Sequence, residues 1–245
     1  MRRIHLLHTN DIHSHFDNCS RLATAIKSWR TQFAQDAEGS LLFDLGDHLD
    51  RVHPLTEAYL GRINAQLLDQ MGYDFITLGN NEGITLPKQA LDSLYQGVNY
   101  EVVLSNLYDE KTAQMPGWSE AYRLVELSGI RLGLIGVTAP FSTFYEKLGW
   151  RVEDPVATVK RLASYLRPQV DILILLSHCG IRFDERIVVD VPQLDLVLGA
   201  HTHNYFPEGH WVNGRLIAEV GKYGEGLGHV TIEWDEVNHR LEGMV

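Results

Sequence analysis

Five short apolar runs in this 245-residue chain each end on a cluster of glycine, histidine, aspartate or asparagine. Residues 4–8 lead into His8-Thr9-Asn10-Asp11-Ile12-His13-Ser14-His15, and residues 41–45 into Gly46-Asp47-His48. Residues 75–78 lead into Gly79-Asn80-Asn81-Glu82, residues 171–176 into Ser177-His178-Cys179-Gly180, and residues 194–198 into Gly199-Ala200-His201-Thr202-His203. Continuous apolar runs of this length read as strands covered on both faces. In an α/β protein the carboxyl ends of parallel strands share one edge, and sites are built there. Asp11, His13, Asp47, Asn80, His178, His201 and His203 are therefore candidates to converge from positions nearly 200 residues apart.

Between these runs lie helical patterns. Leu22, Ile26, Trp29 and Phe33 follow at helical spacing, as do Leu60, Ile63, Leu67 and Met71. A short helix is expected after Pro87, and another over residues 155–167. Residues 102–104 read as a further strand, and residues 122–127 and 130–137 as a hairpin around Ser128-Gly129. Near the end, residues 215–220 and 228–234 read as antiparallel strands. The mixture predicts an α/β protein with mixed sheets packed together and helices outside.

The candidate side chains make one chemistry. Imidazole, carboxylate and amide oxygen suit first-row dications. Seven ligands are too many for one tetrahedral ion, whereas two ions sharing one bridging carboxylate use them all. Asp11-x-His13 and His201-x-His203 are expected to place both members on one face of an extended segment. Taken singly, most of these motifs are ordinary turns, caps or surface histidines. Their recurrence at five strand ends makes the ordinary reading improbable.

Composition narrows the classes. The 21 basic and 32 acidic residues leave a formal charge of −11, which argues against a partner that is a nucleic-acid polymer. No apolar run reaches the roughly 18 residues of a membrane span, so no membrane partner is expected. The N-terminus lacks the pattern of a secretory signal. Two cysteines, Cys19 and Cys179, make no disulfide framework and read as reduced thiols of a cytoplasmic protein.

In this order the motifs resemble the calcineurin-like metallophosphoesterases. The strings LLHTNDIHSHF (residues 6–16) and EVGKYGEGLG (219–228) are similar to the catalytic domain of the 5′-nucleotidase and 2′,3′-cyclic-nucleotide phosphodiesterase branch. GNNEGIT (79–85) resembles a bacterial YunD-like subgroup. The resemblance implies a four-layer α/β/β/α sandwich of two mixed sheets, with residues 1–245 as a single metallophosphoesterase domain; the C-terminal nucleotide-specificity domain that the branch carries is expected to be either absent from the protein or removed from this chain. It implies two divalent ions of manganese, zinc, iron or cobalt. Asp11, His13 and His203 would hold the first and Asn80, His178 and His201 the second, with Asp47 as the bridge. It further implies hydrolysis of small phosphate esters, nucleotides above all, by attack of a metal-bridging hydroxide. Two dications less two carboxylates and one hydroxide leave about +1 to receive a phosphate.

One departure stands out. The branch usually carries a histidine after the ligand asparagine and an aspartate three residues on. Here these are Asn81 and Ile84. An amide donates a hydrogen bond but is no acid. Asn81 is thus a candidate phosphate contact, and His48 and His15 are candidates to supply the missing proton or to brace the ligands. The alternative is a metal- and nucleotide-binding module with little or no turnover.

Overall fold

The structure, a computed structural model, describes residues 2–36 and 38–244. The first half runs β1 (Arg2–Thr9), α1 (Phe16–Gln35), β2 (Gly39–Asp44), α2 (Pro54–Ala58), α3 (Arg62–Met71), β3 (Phe75–Ile76), α4 (Asn80–Thr85), α5 (Lys88–Leu94), β4 (Glu101–Val102) and β5 (Leu107–Asp109). Then follow β6 (Tyr122–Leu127), β7 (Ile130–Thr138), α6 (Ser142–Lys147), β8 (Trp150–Val152), α7 (Pro155–Leu166), β9 (Ile172–His178) and α8 (Ile181–Asp190). The chain closes with β10 (Leu196–Leu198), β11 (His210–Val212), β12 (Arg215–Ala218), β13 (Gly228–Asp235) and β14 (Arg240–Met244).

Two six-stranded sheets carry the molecule, ordered β14-β13-β1-β2-β3-β4 and β11-β12-β10-β9-β7-β6, and β5 with β8 forms a small antiparallel pair. Within the first sheet β1 to β4 are parallel, and β13 and β14 add on antiparallel. Within the second, β7, β9, β10 and β12 are parallel, with β6 and β11 antiparallel at the edges. Successive side chains of β1 point to opposite faces, so Leu6 packs between the sheets while Leu7 packs under α1. The core between the sheets includes Ile4, Leu6, Phe43, Leu134, Ile174 and Leu196. Outer cores lie beneath α1, α3 and α5 on one side and beneath α7 and α8 on the other. The result is the expected mixed α/β fold with helices outside two large mixed sheets. No helix among the described residues is long and apolar enough to cross a membrane.

Three local expectations change. β12 and β13 are both strands, but they lie in different sheets and do not pair with each other. The strand expected over residues 75–78 is only Phe75–Ile76, and that expected over 194–198 is Leu196–Leu198. Helix α8 was not foreseen, because buried Asp184 sits among its core-facing positions and interrupts the apolar stripe of Ile187 and Val188.

The sheets meet closely at Gly136 in β7. Its carbonyl accepts from Ser105 N at 2.7 Å, and a Cβ there would lie 1.9 Å from the Val103 carbonyl oxygen. Backbone cannot retreat as a flexible side chain can. Gly136→Ala is expected to destabilise the protein by about 1–3 kcal/mol or more, lowering Tm by roughly 2–4 °C per kcal/mol. An unchanged Tm in a thermal melt would contradict this packing.

Candidate metal centre

The carboxyl ends of β1, β2 and β3 from one sheet, and of β9 and β10 from the other, deliver the predicted clusters to one place. Backbone bonds lace the first two loops together: Asp11 N donates to Gly46 O (3.0 Å), His13 N to Asp47 O (2.8 Å) and Ser14 N to His48 O (3.1 Å). Glu82, fully buried in α4, clamps the third. Its carboxylate accepts from Asp47 N and Gly79 N at 2.9 Å each and from Leu49 N at 3.0 Å. That clamp was visible in the sequence only as the last letter of Gly-Asn-Asn-Glu.

Six of the seven candidate ligands form two groups. Asp11, His13 and His203 make one, and Asp47, His178 and His201 the other; within each, one ligating atom per residue lies within 4.8 Å of the rest. Asp11 Oδ1 is 3.3 Å from His203 Nε2 and 3.6 Å from His13 Nε2. Asp47 Oδ2 is 3.4 Å from His178 Nε2 and 3.8 Å from His13 Nε2, so this carboxylate faces both groups. Asn80, the seventh, opens α4 beside them with its Oδ1 buried and unpartnered.

The ligand pairs reach the centre differently from the expectation. Asp11, His13, Asp47, His201 and His203 all have left-handed φ, between 47° and 78°, rather than extended backbone. Such φ values are uncommon outside glycine, and clusters of them are typical of functional sites. His201 falls in one group and His203 in the other, the division that the resemblance had implied for this pair.

Hydrogen bonding leaves the right atoms bare. Asp11 Oδ2 accepts from Asn10 Nδ2 (2.8 Å) and His201 N (3.0 Å), while its Oδ1 has no partner. His178 Nδ1 donates to the Leu45 carbonyl at 2.7 Å, which leaves Nε2 as a lone-pair donor, again without a partner. Fixing the tautomer through the far nitrogen is how metal-binding histidines are commonly oriented. Three buried ligand atoms without hydrogen-bond partners, Asp11 Oδ1, Asn80 Oδ1 and His178 Nε2, thus suit a cation better than a finished hydrogen-bond network.

The field agrees. Burial opposes ionisation of Asp11, but the neighbouring imidazoles of His13 and His203 hold it well below the usual carboxylate range. Burial likewise opposes Asp47, and the His178 charge lowers it. Burial opposes a charge on His178, yet Asp47 and Asp11 outweigh it and push the imidazole up to about 10.

The other candidates separate. Asn81 Nδ2 donates to Asp47 Oδ2 at 2.9 Å and lies 3.2 Å from His13 Nδ1, so the amide braces the carboxylate between the groups. His48 is only 2% exposed, packed near Glu82 and Asp44, and burial lowers its pKa. It does not open onto the cleft, a position that suits bracing and not proton delivery. His15 is exposed at the cleft rim, its ring stacked 3.9 Å from Tyr223. Asp50, whose Oδ2 lies 3.6 Å from His13 Nδ1, and His53 also line this rim and were missed, because nothing in their spacing sets them apart.

A family model for the calcineurin-like phosphoesterases matches residues 4–205. The chain belongs to that family. The chain is 40% identical over 240 residues to the Bacillus subtilis metallophosphoesterase YunD, covering 98% of this chain and 52% of that protein. It is 25% identical over 267 residues to the 5′-nucleotidase of Bos taurus, covering 94% of this chain and 46% of that one. The chain therefore spans about half the length of these relatives. Its fold is like that of Haemophilus influenzae NAD nucleotidase (TM-score 0.85, 17% identity, 99% of this chain and 49% of that one). It is equally like Thermus thermophilus sulfate thiohydrolase SoxB (TM-score 0.86, 16% identity, 100% and 56%). Members of the family bind divalent metals, and the resemblance read from the motifs is upheld.

The raised His178 makes a signed prediction. Its ordinary value is 6.5, so its protonation stabilises the metal-free fold fully below about pH 6.5, and that contribution is lost as pH rises through about 10. In chelator, Tm should fall over this interval. His178→Gln should flatten the fall; an identical slope in the variant would contradict the assignment.

Proposed function

We propose that residues 1–245 form one metallophosphoesterase domain that hydrolyses phosphate esters, nucleotides among them, at a dinuclear metal centre. Asp11, His13 and His203 would hold one divalent ion and Asn80, His178 and His201 the other, with Asp47 shared. The observation that carries this reading is the Asp47 carboxylate facing both groups, with the Nε2 atoms of His13 and His178 at 3.8 and 3.4 Å from the same oxygen. Ions bound there would supply Lewis acidity to phosphoryl oxygens and lower the pKa of a coordinated water from 15.7 toward about 7.

The chain's own residues do the rest. Asn10 and the His201 amide fix Asp11, so its free oxygen is aimed without reorganisation. Glu82 and Asn81 fix Asp47: Glu82 holds its backbone N–H, and Asn81 donates to its carboxylate from both backbone N (2.7 Å) and side chain. Asn81 cannot protonate a departing alkoxide. His15 is the better placed of the two histidines considered for that proton, since it is exposed at the cleft and His48 is sealed. Similarity to 5′-nucleotidases supports nucleotides as the substrate class.

The second reading, binding with little turnover, rests on Asn81 being tied to Asp47 where the branch usually has a histidine. The test is a panel of phosphomonoesters, phosphodiesters and nucleotides assayed with manganese, zinc, iron or cobalt. Turnover is expected with at least one ester, and Asn81→His should change it by well under the roughly 10²–10⁴-fold that a general acid supplies. No turnover with both sites filled, or a gain of that full size in Asn81→His, would favour the binding module.

A further inference from the structure

Tyr223 has no place in either ligand group, yet its ring reaches three histidines of the site. It stacks on His15 at 3.9 Å and 27°, meets His13 edge-on at 5.9 Å, and lies 6.4 Å from His203. Its backbone is left-handed, with φ 62°, between the positive-φ glycines Gly221 and Gly224. A bulky residue in that conformation is strained and persists only where its surroundings over-determine it. Here they do: Tyr223 N donates to the Asp11 carbonyl at 2.7 Å, and Tyr223 O accepts from Asn18 Nδ2 at 2.8 Å. The ring is thus pinned to the backbone of a candidate ligand. The Lys222 ammonium sits over it, 4.4 Å from the centroid.

A cavity of about 490 Å³ begins at His13 and His203 and is bounded by His15, Tyr223, Phe16 and His53. That volume lies within the range of small-ligand sites. An ester whose phosphoryl group is held by the two ligand groups needs room for its leaving group, and this cavity opens directly beside one of them. Its wall is aromatic, and the outer ring of the stack, His15, is exposed. Aromatic walls hold flat rings by stacking, with little regard to which base the ring is.

We propose that Tyr223 and His15 form the leaving-group wall of the centre and select esters whose leaving group carries a flat ring, a nucleoside in particular, over esters of small alkyl alcohols. The kinetic half of this inference rests on the phosphoesterase reading; the binding half does not. Tyr223 acts as a specificity residue, through its ring and not its hydroxyl.

The probe for binding is adenosine, which has no phosphate, titrated into the metal-free 245-residue chain by calorimetry or saturation-transfer NMR. Saturable binding is expected, kept in Tyr223→Phe and weakened about 5- to 150-fold in Tyr223→Gly. Glycine suits the left-handed backbone, so that variant relieves strain instead of adding it. In the metal-loaded chain, the ratio of kcat/KM for adenosine monophosphate to that for glycerol 2-phosphate should fall by a similar factor in Tyr223→Gly. Ring-dependent adenosine binding without hydrolysis of any ester would sink the phosphoesterase reading and leave the wall standing. Hydrolysis with an unshifted ratio, absent adenosine binding, or a Phe variant as impaired as Gly would each overturn the wall.

Discussion

Two buried carboxylates set the terms for this molecule. Asp11 and Asp47 sit among His13, His178, His201 and His203, and their ion-pair partners are imidazoles. Buried charge is tolerated only when paired. Asp47 and Asp11 raise the pKa of His178, although burial alone would keep it neutral. A cluster built to compensate negative charge, yet lined with unpartnered lone pairs, is poorly finished as a protein core and well finished as a cation site.

The rest of the fold can be understood as support for that cluster. Parallel strands in both sheets bring five loops to one edge, and the helices outside bury the opposite faces. The loops then turn sharply, holding five non-glycine residues of the site in left-handed backbone. Each such residue costs on the order of 1–3 kcal/mol, which neighbouring structure must offset. Glu82 is one such neighbour, collecting three backbone N–H groups that would otherwise be buried unpaired. The backbone bonds between the loop of Asp11 and that of Asp47 are another.

The strand ends were legible because their composition changes abruptly, from continuous apolar residues to glycine, histidine and aspartate. Helix α1 was legible from Leu22, Ile26 and Phe33, all buried at helical spacing. Helix α8 was not, since Asp184 on its inner face is polar, and Ser177, which donates to its Oδ1, is a partner no local pattern reveals. The separation of β12 from β13 depends on pairing between distant segments. Adjacency to Asp47 made His48 attractive, but sequence does not say on which side of a left-handed turn the next side chain falls. Tyr223 escaped notice for a related reason: its flanking glycines signal a turn, and nothing in the letters says that the turn drives an aromatic ring against His13 and His15.

The central claim is that two ions share Asp47. Electron paramagnetic resonance of the manganese-loaded chain tests it most directly. Two equivalents should give a spin-coupled multiline spectrum, and Asp47→Ala should abolish the coupling. An isolated six-line signal that persists at two equivalents in the wild-type chain would contradict a shared carboxylate and leave, at most, a mononuclear site.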